Sequence, residues 1–167
     1  MNTGYTAPTE QRDLSTAHAT VKTPVVGELI VEVSGAMFEG GLRNVQGDPD
    51  SIPQAVSTLY GQPLLDSGNV KAPLALMRMV PDGPDHPSAS AMRTIETYAK
   101  SLAVPVELVW GMSDPILGQG LAGMQALFPN ARVTKTDAGH FLQEEVPVEI
   151  AAAVMRLVDR ITEQHPR

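Results

Sequence analysis

Cysteine is absent from the 167 residues, and basic side chains are scarce. Without cysteine, the chain can form no disulfide bond, no thiolate nucleophile and no cysteine-based metal site. Lysine and arginine number 12 against 19 aspartates and glutamates, which gives a net charge of -7. No basic cluster offers a footprint for phosphate backbones or anionic membrane surfaces. We therefore expect neither a nucleic-acid partner nor a membrane partner.

Long apolar runs are also missing, since no stretch approaches the roughly 20 residues that span a bilayer. The first residues, MNTGYTAPTEQRD, lack the charged and then apolar plan of a secretory signal, so we predict a cytoplasmic location. His18, His86 and His165 have no partner at metal-ligand spacing. We therefore predict no metal site.

The second half of the chain carries the clearer pattern of secondary structure. Apolar spacing predicts a helix over 88–103, a strand over 104–111, a helix over 121–128, a strand over 131–137 and a closing helix over 146–163. Strands separated by helices of this length pair in parallel through right-handed crossovers. The predicted fold class is therefore α/β, with working loops at the carboxyl ends of the strands.

The first half of the chain reads less clearly. Apolar residues at helical spacing predict a helix over 24–42, although residues 28–33 read equally well as a strand. A second helix is predicted over 51–60, with Ser51 as its N-cap and Gly61 as its terminator. Residues 61–90 are rich in proline and glycine and read as a long connection, interrupted by an apolar segment.

Two residues that follow strands are candidates for chemistry. Asp114 follows the first predicted strand in WGMSDPI, and His140 follows the second in DAGHF. Neighbouring parallel strands lie about 5 Å apart, so side chains from these two loops can meet. A carboxylate that orients an imidazole, and an imidazole that moves protons, are two of the three groups of a nucleophilic hydrolase. Each also has a structural reading, Asp114 as a helix N-cap and His140 as a hydrogen-bonded loop residue.

The phrases VPVELVWGMSDPI and FPNARVTKTDAGHFLQEEVPVEIAAAV resemble the end of an α/β-hydrolase of the haloalkane dehalogenase and epoxide hydrolase branch. There a W-G-x-x-D motif supplies the acid, and a later loop supplies the histidine, an acidic pair and a helix-opening proline. The resemblance is strongest over residues 100–160, with matches at Trp110, Gly111, Asp114, His140, Glu144, Glu145 and Pro147. It implies that Asp114 orients His140 and that His140 is the general base. We expect the two glutamates to cap or charge the N-terminal end of the last helix.

Weaker resemblance extends toward the start of the chain. TPVVGELIVEV and YGQPLLDSGNVKAP resemble the helical cap of haloalkane dehalogenases, and MNTG resembles the end of the strand before that cap. We therefore predict a cap-like helical region with its connection over residues 1–87. Residues 88–167 are predicted to be the C-terminal core segment of an α/β-hydrolase fold.

No nucleophile is recognisable in the sequence. α/β-Hydrolases present it on a G-x-[Ser/Asp/Cys]-x-G elbow, and no two glycines here are four residues apart. The chain is therefore expected to be a fragment that lacks the nucleophile and is inactive alone.

With an Asp nucleophile supplied by an N-terminal half, the resemblance implies attack on a small hydrophobic organic substrate and loss of halide. Water activated by His140 would then hydrolyse the alkyl-enzyme ester, without a metal or an organic cofactor. Halide pockets of this family use a cap indole, whereas the only tryptophan, Trp110, lies in the acid motif. Epoxide hydrolysis, for which Tyr5, Tyr60 and Tyr98 are the tyrosines present, and carboxylic-ester hydrolysis stay open. A non-catalytic remnant or a partner chain is an open alternative of another class. The oligomeric state is also open.

Overall fold

The computed structural model of the chain describes residues 2–33 and 40–164. Helices precede the first strand, which is followed by a helix, the second strand and two closing helices. The elements in chain order are α1 (Thr16–Lys22), α2 (Val26–Glu28), α3 (Gln54–Asp66), α4 (Ala72–Arg78), α5 (Ala89–Ser101), β1 (Glu107–Gly111), α6 (Leu121–Leu127), β2 (Arg132–Thr136), α7 (Leu142–Glu145) and α8 (Pro147–Gln164). Within the described ranges, no helix combines the length and the apolar character needed to cross a bilayer.

β1 and β2 pair in parallel, with Glu107 opposite Arg132 and Gly111 opposite Thr136. α6 forms the crossover between them, because parallel strands need a long connection to return to the same edge. The predicted order of helix, strand, helix, strand and helix over the second half is confirmed. Both strands end at the same edge, so the loops after Gly111 and Thr136 begin side by side.

The described residues divide into two compact units. Unit 1 contains the described residues of 1–5, 45–51 and 97–167, and unit 2 contains those of 6–44 and 52–96. The change from one unit to the other at residue 96 falls inside α5. The assignment of residues 1–87 to a cap and of 88–167 to a core segment stays a prediction.

Trp110 is the centre of the apolar core of unit 1. Its side chain is buried on β1 and packs with Leu108, Leu121 and Met124. The indole Nε1–H donates to the carbonyl oxygen of Gly118 at 2.9 Å, which satisfies the one polar atom that this burial removes from water. The prediction that Trp110 anchors the core beside the sheet is confirmed.

Unit 2 is built from helices α1 to α4 and the first part of α5. α1 packs against α2 and α4, and Leu74 of α4 is buried there. The two guanidinium nitrogens of Arg78 donate to the two carboxylate oxygens of Glu28 at 2.7 and 2.9 Å. These hydrogen bonds lower the pKa of Glu28 to about 2.

Both predicted limits of the second helix are wrong, because α3 runs from Gln54 to Asp66. Ser51 is not its N-cap, since the Ser51 hydroxyl belongs to a preceding turn and donates to the carbonyl oxygen of Asp48 at 2.7 Å. Gly61 does not end the helix either and is buried within it. α3 instead ends just before Gly68, whose φ of 68° is the left-handed conformation that commonly ends helices.

Two further predictions for the first half need correction. α2 continues directly into a π-helical turn, Leu29–Val33, so the strand reading of residues 28–33 is wrong. A strand needs a neighbouring strand for its hydrogen bonds, and the described neighbours of this turn are α2 and α4. Residues 34–39 of the predicted helix lie outside the described residues. The connection predicted over 61–90 is shorter, because α3 reaches Asp66 and α4 fills part of the remainder.

Candidate functional site

Asp114 lies in the loop that follows β1, beside the loop that follows β2. The pairing of the strands continues into these loops, because the Met112 N–H donates to Thr136 O at 2.9 Å. The Ser113 N–H then donates to Ala138 O at 3.1 Å. These two hydrogen bonds carry the register of the sheet up to the positions of Asp114 and His140.

The carboxylate of Asp114 meets the ring of His140, with 2.9 Å between Oδ2 and Nδ1. Oδ1 accepts hydrogen bonds from the backbone N–H of Ile116 at 2.7 Å and of Leu117 at 3.1 Å. The Asp114 side chain is completely buried, so protein groups alone satisfy it. One carboxylate oxygen of Asp114 thus accepts backbone hydrogen bonds of the helix-capping kind, as its structural interpretation predicts. The other oxygen contacts His140.

Burial raises the pKa of Asp114, but hydrogen bonds from His140 and from the backbone of Ile116 outweigh it. The net effect is a pKa below that of an ordinary aspartate. The carboxylate is therefore charged at neutral pH. An acceptor at this position favours a proton on Nδ1, which leaves Nε2 as the basic nitrogen of a neutral His140 ring.

His140 is held at its backbone as well as at its ring. Its N–H donates to the carbonyl oxygen of Val45 at 2.7 Å, and the ring of Phe141 lies edge-on to its imidazole. The side chain is 15% exposed, and Nε2 makes no hydrogen bond with residues 2–33 or 40–164. An oriented imidazole with a free basic nitrogen is the arrangement of a general base.

Close contact between backbones at Gly111 and Gly139 brings the loops together. A Cβ at Gly111 would lie 2.5 Å from the carbonyl oxygens of both Ala138 and Gly139. A Cβ at Gly139 would clash with the carbonyl oxygen of Val45 and would lie 2.5 Å from the carbonyl carbon of Gln46. No other residue type fits these two positions without a shift of the backbone.

Gln46 is a part of the site that the sequence did not reveal. Its buried amide brackets Phe141: Oε1 accepts from the Phe141 N–H at 2.8 Å, and Nε2 donates to the Phe141 carbonyl oxygen at 3.2 Å. The residue next to His140 is thereby fixed to segment 45–51. Gln46 belongs to no recognisable motif, so only its three-dimensional position identifies it.

Glu145 has a different role from the one predicted. Its carboxylate accepts hydrogen bonds from the backbone N–H groups of Gly47, Asp48 and Gly139. None of these donors belongs to α8, so the prediction that Glu145 caps the last helix is wrong, whereas an effect of its charge on that helix stays a prediction. Glu145 is the last residue of α7, and its three backbone donors lie in segment 45–51 and in the loop that carries His140.

Asn2 supports the other side of β1 at its end. Its amide Nδ2 donates to the Gly111 carbonyl oxygen at 2.8 Å, and its Oδ1 accepts from the Gly111 N–H at 3.0 Å. Asn2 is buried, and this pair of hydrogen bonds replaces those of a neighbouring strand. The start of the Asp114 loop is therefore held from both sides.

The aromatic residues that are candidates for substrate binding, Trp110, Tyr5 and Tyr98, have different surroundings. The Trp110 indole N–H already donates to Gly118 O, so it is not free for a halide. Tyr5 packs against the Trp110 cluster, and Tyr98 is 66% exposed on α5. Across residues 2–33 and 40–164, no group of three or more histidines, aspartates and glutamates is arranged to hold a metal ion.

The pKa of Asp114 leads to a prediction about acid stability. Because the folded-state pKa is lowered, Asp114 contributes stability above the ordinary Asp value of about 3.9, and this contribution is lost as pH falls through the folded-state value. Asp114→Asn should cost about 2 kcal/mol at pH 7 and flatten the decline in stability below pH 5. Urea unfolding followed by Trp110 fluorescence between pH 7 and pH 3 measures this. Asp159→Asn, at an exposed position on α8, should keep the wild-type pH dependence; equal slopes for both variants would contradict the prediction.

No protein-family model matches the chain. Haloalkane dehalogenase 1 of Mycobacterium tuberculosis H37Rv is 30% identical over 119 residues, which cover 65% of this chain and 37% of that protein. The haloalkane dehalogenase of Psychrobacter cryohalolentis is 26% identical over 125 residues, 72% of this chain and 41% of its own length. The chain thus spans about two fifths of the length of these curated relatives.

A solved structure is also similar. The crystal structure of the haloalkane dehalogenase DatA from Agrobacterium tumefaciens C58 matches with a TM-score of 0.73 and 22% sequence identity. The match covers 92% of this chain and 55% of the solved chain.

Proposed function

Because this chain is related to the haloalkane dehalogenases and has part of the α/β-hydrolase fold, we propose that it supplies the acid and the base of a dehalogenase-like hydrolytic site. The observation that carries the proposal is the 2.9 Å contact between Asp114 Oδ2 and His140 Nδ1. In this role, Asp114 orients the ring and stabilises its protonated form. His140 is the general base through Nε2.

The nucleophile is proposed to come from a polypeptide segment other than residues 1–167. An aspartate there attacks the carbon that bears the halogen, the carbon–halogen bond breaks, and halide leaves with the bonding electrons. His140 Nε2 then takes a proton from water as that water attacks the ester carbonyl. The ester bond to the substrate breaks, alcohol leaves, the aspartate is regenerated, and the proton passes from His140 to solvent. This chain alone is proposed to be inactive.

The substrate is proposed to be a small hydrophobic haloalkane. One observation favours an alternative: the Trp110 indole N–H is committed to Gly118 O and is the only indole of the sequence. Halide binding then needs donors from the completing segment. If these are missing, epoxide or carboxylic-ester hydrolysis by the same Asp114–His140 pair is the second candidate. The lack of a nucleophile elbow favours, as a third candidate, a non-catalytic remnant or partner chain.

The test supplies the nucleophile in a second polypeptide. The full chain is coexpressed with the portion of the Mycobacterium tuberculosis dehalogenase that it does not match, and bromide release from a 1-bromoalkane is measured. We expect continuous bromide release only when both chains are present, and loss of this continuous turnover with Asp114→Asn or His140→Gln. A 4-nitrophenyl ester and styrene oxide are assayed in parallel, because turnover of either without bromide release would favour the corresponding hydrolase. A stable pair of chains without any turnover would overturn the catalytic proposal.

A further inference from the structure

Resting on the proposed function, we propose that Glu145 is a positioning residue for His140. Its carboxylate joins the loop that carries His140 to segment 45–51. Gly139, which immediately precedes His140, donates its N–H to Oε2 at 2.6 Å. Asp48 donates its N–H to Oε1 at 2.6 Å, and Gly47 donates to Oε2 at 3.3 Å.

The orientation of the His140 ring depends on the backbone of residues 139–141. Each of these residues is held by a partner that segment 45–51 or Glu145 provides. Gly139 binds Glu145, His140 binds the carbonyl oxygen of Val45, and Phe141 binds the amide of Gln46. Because the Asp114 contact needs Nδ1 within hydrogen-bond distance of one carboxylate oxygen, a small rotation of this backbone breaks it.

The chemistry of the three contacts requires a carboxylate. Three N–H donors converge on two oxygens, and charge-assisted hydrogen bonds of this kind are shorter and stronger than neutral ones. Glutamine has the same shape but replaces one oxygen with an NH2 group, which would face a backbone donor. Aspartate keeps the charge but is one methylene shorter, so it cannot reach both Asp48 and Gly139. Glu145→Gln and Glu145→Asp therefore separate charge from reach.

The first arm of the test uses the unaltered chain without substrate. Nitrogen-15 NMR should place the proton of the neutral form of the His140 ring on Nδ1, with the signal assigned by its loss in His140→Gln. The amide protons of Gly139 and Asp48 should exchange with solvent at least about tenfold more slowly than unprotected amides. Unprotected exchange at both positions would overturn the proposal by itself.

The second arm compares the variants with a matched control. Glu145→Gln should lose the His140 Nδ1–H signal to exchange and speed exchange of the Gly139 amide by about tenfold or more. Glu145→Asp should recover only part of either property. The control is Glu149→Gln. Glu149 is exposed and lines the same cavity of about 690 Å³ as Glu145, so the substitution removes an equal charge nearby. The His140 ring signal and the Gly139 exchange rate of this variant should match those of the unaltered chain.

The indole N–H of Trp110 reports whether each variant keeps the fold of unit 1, since it is the only indole signal. A folded Glu145→Gln chain with an unchanged His140 ring and an unchanged Gly139 amide would overturn the proposal. If neither Glu145 variant folds, the amide exchange and the His140 ring signal of the unaltered chain decide whether the proposal holds. Every readout is taken without substrate. The result for Glu145 therefore does not depend on whether the proposed hydrolytic function is correct.

Discussion

In the site completed by a second chain, His140→Gln should release about one bromide per chain and then stop. Attack of the nucleophilic aspartate on the substrate carbon needs no base, whereas attack of water on the resulting ester does. Loss of a positioned general base lowers a rate by about 10² to 10⁴-fold, so steady turnover should fall by that factor. Intact-mass spectrometry should find the alkyl group attached to the polypeptide that carries the nucleophile.

The control for this substitution is His18→Gln, which makes the same chemical change in unit 2. It should leave both the rate and the mass spectrum unchanged. Continuous turnover by His140→Gln within tenfold of the unsubstituted pair would contradict the assignment of His140 as the base. So would complete loss of the first bromide, because that result would place His140 in the displacement step.

Gly139→Ala should destabilise the chain by about 3 kcal/mol and disrupt the Asp114–His140 contact. The added methyl group would enter the space of the Val45 carbonyl oxygen and would lie 2.5 Å from the carbonyl carbon of Gln46. Backbone atoms on both sides are held by hydrogen bonds, so the strain cannot be relieved by a side-chain rotation, and overpacking of this kind costs about 1 to 3 kcal/mol or more. Urea unfolding followed by Trp110 fluorescence measures the change.

A matched control is Gly123→Ala in α6, where an added Cβ would have no atom within 4 Å apart from its chain neighbours and the backbone of its own helix. Alanine is a better helix former than glycine, so this variant should gain up to about 1 kcal/mol. The prediction for Gly139 is wrong if the two substitutions change the free energy of unfolding in the same direction and by the same amount.

The second half of the fold could be predicted because its signals are local. The strand that became β1 is an apolar run between turn residues, and α5 and α8 have apolar residues at helical spacing. The limits of α3 could not be predicted by the same rules. Ser51 and Gly61 are typical of helix ends, but hydrogen bonds in a turn and burial within the helix decided their roles.

The Asp114–His140 pair could be predicted from the sequence. The hydrogen bonds of Gln46 and Glu145 that support it could not. Asp114 and His140 were found from their positions after successive strands and from the phrases around them, and the structure brings their side chains together. Gln46 binds Phe141, 95 positions away, and besides its contact with Gly139, Glu145 binds Asp48 and Gly47, 97 and 98 positions away. No local pattern encodes such a partner. The rule applied to Glu145 concerned only the helix that follows it.

The attachment of segment 45–51 to Glu145 also sets an order of events during synthesis. Asp48 leaves the ribosome 97 residues before the carboxylate that binds its N–H. At about 5 to 20 residues per second, that separation is a delay of roughly 5 to 20 seconds. Unit 2 is complete at residue 96, so it can fold during the delay, while Val45, Gln46 and Gly47 wait without their partners. The contact between His140 and Asp114 is therefore among the last that can form on a newly made chain, and a ribosome stalled before residue 145 would carry an unassembled site.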